Sequence, residues 1–137
     1  MSVGFETVVR EVAMHVVLPD AEPHRLRVVM RYDAADPFAV RLDFDPLPHG
    51  VSWVFARDLL MRGLSAPTGD CDVRVWPSHA ERCLRIALMS PDGDAVLEAT
   101  TSDVADFLGR TYLACPPGSE SRHLDLDAEL VALLGQS

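Results

Sequence analysis

The sequence predicts an α+β fold made of two antiparallel, strand-rich β-sheet halves. Each half is followed by a helix, and one further helix stands at the C-terminal end. Three observations carry this expectation. Several runs alternate apolar and polar residues, the period of a strand with one buried face; the cleanest sets Phe38, Val40, Leu42 and Phe44 against Arg41, Asp43 and Asp45. Two segments change to helical spacing, one near residues 55–62 and one carrying Val104, Phe107, Leu108 and Tyr112. Short clusters of Pro, Gly and Asp separate the runs, as expected for strands that pair with their chain neighbours.

In chain order, residues 5–18 form a long strand with Val8, Val12, Met14, Val16 and Leu18 on one parity and Arg10 as the polar exception. A bend or bulge near its middle is expected. Pro19 to Pro23 is a loop, since two prolines in five residues cannot sustain a ladder. Leu26, Val28, Met30 and Tyr32 alternate with charged residues in the next strand. Asp33-Ala34-Ala35-Asp36-Pro37 turns the chain into the third, with Asp accepting backbone N–H bonds.

Residues 51–77 join the halves and hold both tryptophans, Trp53 and Trp76, at their ends. The helix near Phe55–Arg62 turns Phe55, Leu59 and Leu60 inward, and Gly63 is expected to end it in a left-handed conformation. Ala66-Pro67-Thr68-Gly69 reads as a type I turn. A strand over residues 72–76 follows, then one through Leu84, Ile86 and Leu88. Ser90-Pro91-Asp92-Gly93-Asp94 is a hairpin signal. Thr100 to Asp103 has a capping-box pattern before the second helix, which Pro116-Pro117-Gly118 ends. A last amphipathic helix carries Leu126, Leu130, Leu133 and Leu134, with Asp125 and Asp127 near its positive end.

The totals bound the function. A chain of 137 residues with 48% hydrophobic content suits one folded domain, residues 1–137. No apolar run is long enough to span a bilayer, and no secretory signal opens the chain, so a cytoplasmic protein without direct membrane insertion is expected. All 12 basic residues are arginine, outnumbered by 21 acidic ones for a net charge of −9. Arginines scattered among carboxylates do not make the basic face that nucleic acid requires, and no nucleic-acid partner is expected. Cys71, Cys83 and Cys115 are odd in number and widely spaced, with no Cys-x-x-Cys pair, so neither a disulfide framework nor a zinc knuckle is indicated.

Candidate chemistry is sparse. His79 and Cys83 stand four apart without a third ligand or an orienting group. Asp33 and Asp36 read more simply as turn formers than as an acid–base pair, and Arg122-His123-Leu124-Asp125 as the approach to a charged helix start. No serine lies in a nucleophile elbow, and no glycine-rich phosphate loop is present. Trp53 reads as a core residue; Trp76 reads as packing, with an exposed stacking platform as the competing reading. No catalytic residue, cofactor or metal site is expected.

One resemblance sharpens this picture. Trp53-Val54-Phe55-Ala56-Arg57-Asp58-Leu59-Leu60, Gly63, Pro67-Thr68-Gly69 and Asp72-Val73-Arg74-Val75-Trp76-Pro77 resemble the SsgA-like family of sporulation and cell-division proteins of actinomycetes. Arg31 to Val40, Ser90-Pro91-Asp92-Gly93, Phe107-Leu108, Pro116-Pro117-Gly118 and Arg122 to Asp127 extend the likeness over about residues 25 to 134. Asp70-Cys71 departs from it, where a small, glycine-containing pair is expected. The resemblance implies a Whirly-like fold, a trimer and a non-enzymatic adaptor in sporulation-specific septation. It also implies recruitment to the septum and contact with FtsZ or with other division or family proteins. The charged positions of the matched motifs, Asp33, Asp36, Arg57, Asp58, Arg74 and His123, are the candidate partner surface; turn and salt-bridge structure is the competing account. Two other functions are weighed: a Whirly-like binder of single-stranded nucleic acid, and a thiol enzyme using Cys71 or Cys83 with His79.

Overall fold

A computed structural model describes residues 6–17, 22–45, 51–70, 72–91, 93–122, 124 and 132–134. The first four strands are β1 (Thr7–Val17), β2 (His24–Asp33), β3 (Ala39–Asp45) and β4 (Val51–Ala56), followed by helix α1 (Arg57–Gly63). Then come β5 (Thr68–Asp70), β6 (Val73–Ser78), β7 (Cys83–Ser90), β8 (Gly93–Thr100) and helix α2 (Thr101–Ala114). Among the described residues the strands form one eight-stranded sheet, ordered β4-β3-β2-β1-β8-β7-β6-β5 and antiparallel at every pairing. The expected halves are therefore two meanders of a single sheet. They join where β1 pairs with β8, over His15↔Glu98, Val16↔Leu97 and Val17↔Val96.

Alternation places one core on one face. Val12 and Met14, Val28, Met30 and Tyr32, Val40 and Leu42, Val73 and Val75, Leu84 and Ile86, and Leu97 and Ala99 all point into it. Both helices cover that face, α1 through Leu59 and Leu60 and α2 through Val104, Phe107 and Leu108. Helix α1 links the two outermost strands, β4 and β5, and packs on β5 and β6. Helix α2 lies over β1, β8 and β7, the middle of the sheet, and also touches α1. Trp53 is half-buried against the core, as expected.

Several local expectations are corrected. β1 keeps one unbroken register with β2 from Thr7↔Asp33 to Val16↔His24, so it carries no bulge. Arg10, the polar residue on its inward parity, bonds Asp103 at 2.9 Å and Asp106 at 2.6 Å on α2. That contact engages Asp103, and α2 begins after Thr100 with no side-chain capping bond. Phe38 is exposed: β3 starts one residue later, and the Phe38 carbonyl accepts the Arg57 N–H at 2.7 Å. Phe55 belongs to β4, ahead of the helix. Pro67-Thr68-Gly69 leads into β5 and is no turn, since Thr68 to Asp70 pair with Val75 to Val73. The last amphipathic helix falls largely outside the described residues; Leu133 and Leu134 are helical and exposed.

Gly63 has a different role from the one its position suggests. It is the last residue of α1, it has no positive φ, and Leu64 after it stays right-handed. A Cβ there would lie 2.1 Å from Cγ1 of Val75, which is itself fully buried in β6. Glycine lets the helix backbone rest directly on the strand. Gly63→Ala is expected to overpack this contact and lower stability by about 1–3 kcal/mol. Urea denaturation measures it; an unchanged midpoint would refute the contact.

Candidate functional site

Of the six charged candidates, Arg57 is not on the surface. It is 2% exposed, at the first position of α1. Its guanidinium lies between two aromatic rings, 4.9 Å from the Tyr32 centroid and 4.4 Å from that of Tyr112. Nη1 donates to the Thr111 and Cys115 carbonyls at 3.1 and 2.8 Å, and Nη2 donates to Glu120 Oε1 at 2.8 Å. The carbonyls belong to the end of α2, which carries partial negative charge; that of Thr111 also accepts the Cys115 N–H at 2.9 Å. Glu120 Oε2 also accepts the Gly118 N–H at 2.9 Å. Burial would push the Glu120 carboxyl up, but its own and Gly118's backbone N–H bonds and the Arg57 guanidinium hold it below the ordinary range. Burial raises both phenols; Tyr32 donates its hydroxyl proton to the Pro37 carbonyl at 3.1 Å. The site holds α1, α2 and the chain after Pro116 together, and its burial puts the Arg57 guanidinium out of a partner's reach.

The other candidates lie apart. Asp33 Oδ1 accepts the Ala35 N–H at 2.9 Å and the Asp33 carbonyl accepts the Asp36 N–H at 2.8 Å, the turn that the sequence suggests. Both aspartates are exposed at one end of a groove on the outer face of β1–β4. Asp58 pairs with Arg62 at 2.8 Å, one turn along α1, with both side chains well exposed. Such a pair contributes about 0.3–0.5 kcal/mol. Arg74 is exposed on β6, its stem above Gly69, and lines a second groove with Trp76 and Met89. Trp76 is half-buried there. His123 and Cys71 lie outside the described residues.

A polar network on the outer face was not singled out from the sequence. Asp43 Oδ2 accepts Arg31 Nε at 2.6 Å, Oδ1 stands 3.1 Å from Arg41 Nε, and Ser52 Oγ donates to Oδ1 at 2.5 Å. Burial acts to raise the Asp43 carboxyl, but Ser52, Arg31 and Arg41 hold it below its ordinary value. The alternation that points Arg31, Arg41 and Asp43 outward was visible; the register that brings them together was not.

The thiol reading meets the opposite electrostatics from those it needs. Glu81, Cys83 and Glu98 bring possible ligand atoms within 4.8 Å of one another, but Arg85 bonds both carboxylates, at 2.7 and 3.0 Å. Burial, then the Glu98 charge, pushes the Cys83 thiol up, away from the thiolate that a nucleophilic cysteine needs. His79 is exposed in the turn before β7. Cys115 is buried.

Among the described residues, the fold is a small α+β protein with α1 and α2 on one face of an antiparallel sheet and neither of them on the other. A sequence model described as Streptomyces sporulation and cell division protein, SsgA, matches residues 26–120. The chain is 47% identical over 134 residues to the sporulation-specific cell division protein SsgB of Streptomyces coelicolor, covering 96% of this chain and 98% of that one. It is 41% identical over 135 residues to SsgB of Thermobifida fusca, covering 95% and 96%. A solved structure described as "Mutations in SsgB correlate to longitudinal cell division during sporulation of Streptomyces coelicolor" aligns at TM-score 0.83 and 44% identity, over 90% of this chain and 99% of that one. The SsgA-like sporulation-specific cell division protein from Thermobifida fusca aligns at TM-score 0.87 and 38% identity, over 96% and 98%. This protein belongs to the SsgA family.

Three outcomes follow from the buried arginine and the partly buried thiol. Arg57→Ala removes the cation from three acceptors and should cost about 3–5 kcal/mol. Glu120→Gln should cost less, with a pH signature. A carboxyl with a lowered folded pKa stabilises above its unfolded value and loses that contribution as pH falls through the folded one. The gap between Glu120→Gln and the parent in urea midpoint should therefore be wide at pH 7 and close below about pH 4. A constant gap would refute the ion pair. Separately, Cys83 should alkylate more slowly than a free thiol at pH 8; fast labelling would reopen thiol chemistry.

Proposed function

We propose that this protein acts in sporulation-specific cell division as a non-enzymatic adaptor. It works in the cytoplasm as a trimer of Whirly-like architecture, is recruited to the septum, and there contacts FtsZ or another division or family protein. The observation that carries the reading is likeness over nearly the whole chain, 47% over 134 residues, to a protein named for sporulation-specific cell division. The surface is consistent with it. Of the described thiols, Cys115 is buried and Cys83 is partly buried with its pKa raised. Outer-face arginines alternate with carboxylates, Arg27 with Glu11 and Arg85 with Glu81 and Glu98. That mixture suits protein recognition better than a phosphate backbone, whose binding needs excess cation. Among the described residues no helix is long and apolar enough to cross a membrane.

A fluorescent fusion imaged with FtsZ in sporulating hyphae tests the reading. Ladder-like foci that precede or accompany FtsZ rings are expected. Diffuse signal, or foci only after the rings have closed, would overturn recruitment.

A further inference from the structure

The outer face of the first meander carries one row that the described residues leave incomplete. Val9 pairs with Arg31, Arg31 with Arg41, and Arg41 with Val54, so these four residues stand side by side across β1, β2, β3 and β4. The valines are 52% and 60% exposed, the arginine side chains 43% and 50%. They line a groove of about 380 Å³, with Asp33 and Asp36 at its end.

Like charges directly opposite each other in a sheet repel and destabilise the pair. Here one carboxylate, Asp43, serves both guanidiniums, and each reaches it only through Nε. Their terminal NH2 groups make no hydrogen bond to a described residue. Two cations against one anion leave the row a positive charge and two forked donors, the geometry that takes a carboxylate.

We propose that this row docks an extended segment of a partner protein with the pattern apolar–x–acidic–x–apolar. The central carboxylate forks between Arg31 and Arg41, and the flanking side chains cover Val9 and Val54. Strand spacing sets the pattern: strands about 4.8 Å apart make the row about 14 Å long. An extended peptide repeats its same-face side chains about every 6.8 Å, so three of them span the row with the middle one between the arginines. Asp33 and Asp36 at the groove's end repel a longer run of negative charge, and the row offers no aromatic ring for a base. A single acidic residue between apolar ones fits better than a nucleic-acid strand. This names the kind of segment the adaptor would take and rests on the adaptor reading above.

The test is a titration of the isotope-labelled protein with the acetylated, amidated pentapeptide Leu-Ser-Glu-Ser-Leu, followed by backbone NMR shifts. Shifts centred on Val9, Arg31, Arg41 and Val54 are expected. Binding should weaken at least about tenfold when Gln replaces the peptide's Glu, the loss of one charge-assisted interaction. It should weaken similarly for Arg41→Gln, with an unchanged melting temperature. Shifts on another face, equal binding of the Gln peptide, or stronger shifts of this row by an oligothymidylate would overturn the proposal. Septal foci of the fusion without peptide binding would overturn this inference alone; peptide binding with a diffuse fusion would overturn the adaptor reading.

Discussion

The structure depends on one buried cation. Taking a guanidinium out of water costs several kcal/mol, and only good partners on every side offset that. Arg57 has them in two tyrosine rings, two carbonyls at the end of α2 and the Glu120 carboxylate. Its position at the start of α1 matters as much as its partners. A helix of seven residues is too short to persist alone in water. It is held at one end by Arg57 and along its length by Leu59, Leu60 and the close approach of Gly63 to Val75. With α1 fixed, the chain can pass from one edge of the sheet to the other.

The same constraint divides the surface from the interior. Helices α1 and α2 occupy one face, so neither of them covers the outward residues that the strands carry on the other. On that face charges meet by register. Arg31 and Arg41 share Asp43, and Arg85 stands between Glu81 and Glu98. The charges of the matched motifs that suggested a partner surface sort differently once folded. Arg57 belongs to the frame, Asp33 belongs to a turn while standing exposed at a groove, and Arg74 faces solvent on the other meander.

What local pattern controls was readable from the sequence. Alternation found β2 and β3, helical spacing found Val104, Phe107 and Leu108, and the Ser90 to Gly93 hairpin closes as its residues suggest. What depends on distant chain was not. The partners of Arg57 come from three remote segments, and a glycine next to a helix end looks the same whether it supplies a left-handed turn or a close contact. The resemblance supplied the family; the register alone revealed that Arg31 and Arg41 are neighbours. The candidate site was therefore legible as a set of residue types and illegible as a surface.

The join between β1 and β8 has a kinetic consequence. Each meander pairs strands that are neighbours in sequence, whereas the join brings β1 to β8 and, among the described residues, consists of three residue pairs. Closing so long a loop costs entropy that only late, cooperative contacts return. The first meander leaves the ribosome with its pairings local and complete, but its β1 edge waits for β8 until nearly the whole chain has been made. During synthesis that edge is an open template, and the nascent chain is most vulnerable to mispairing in this interval.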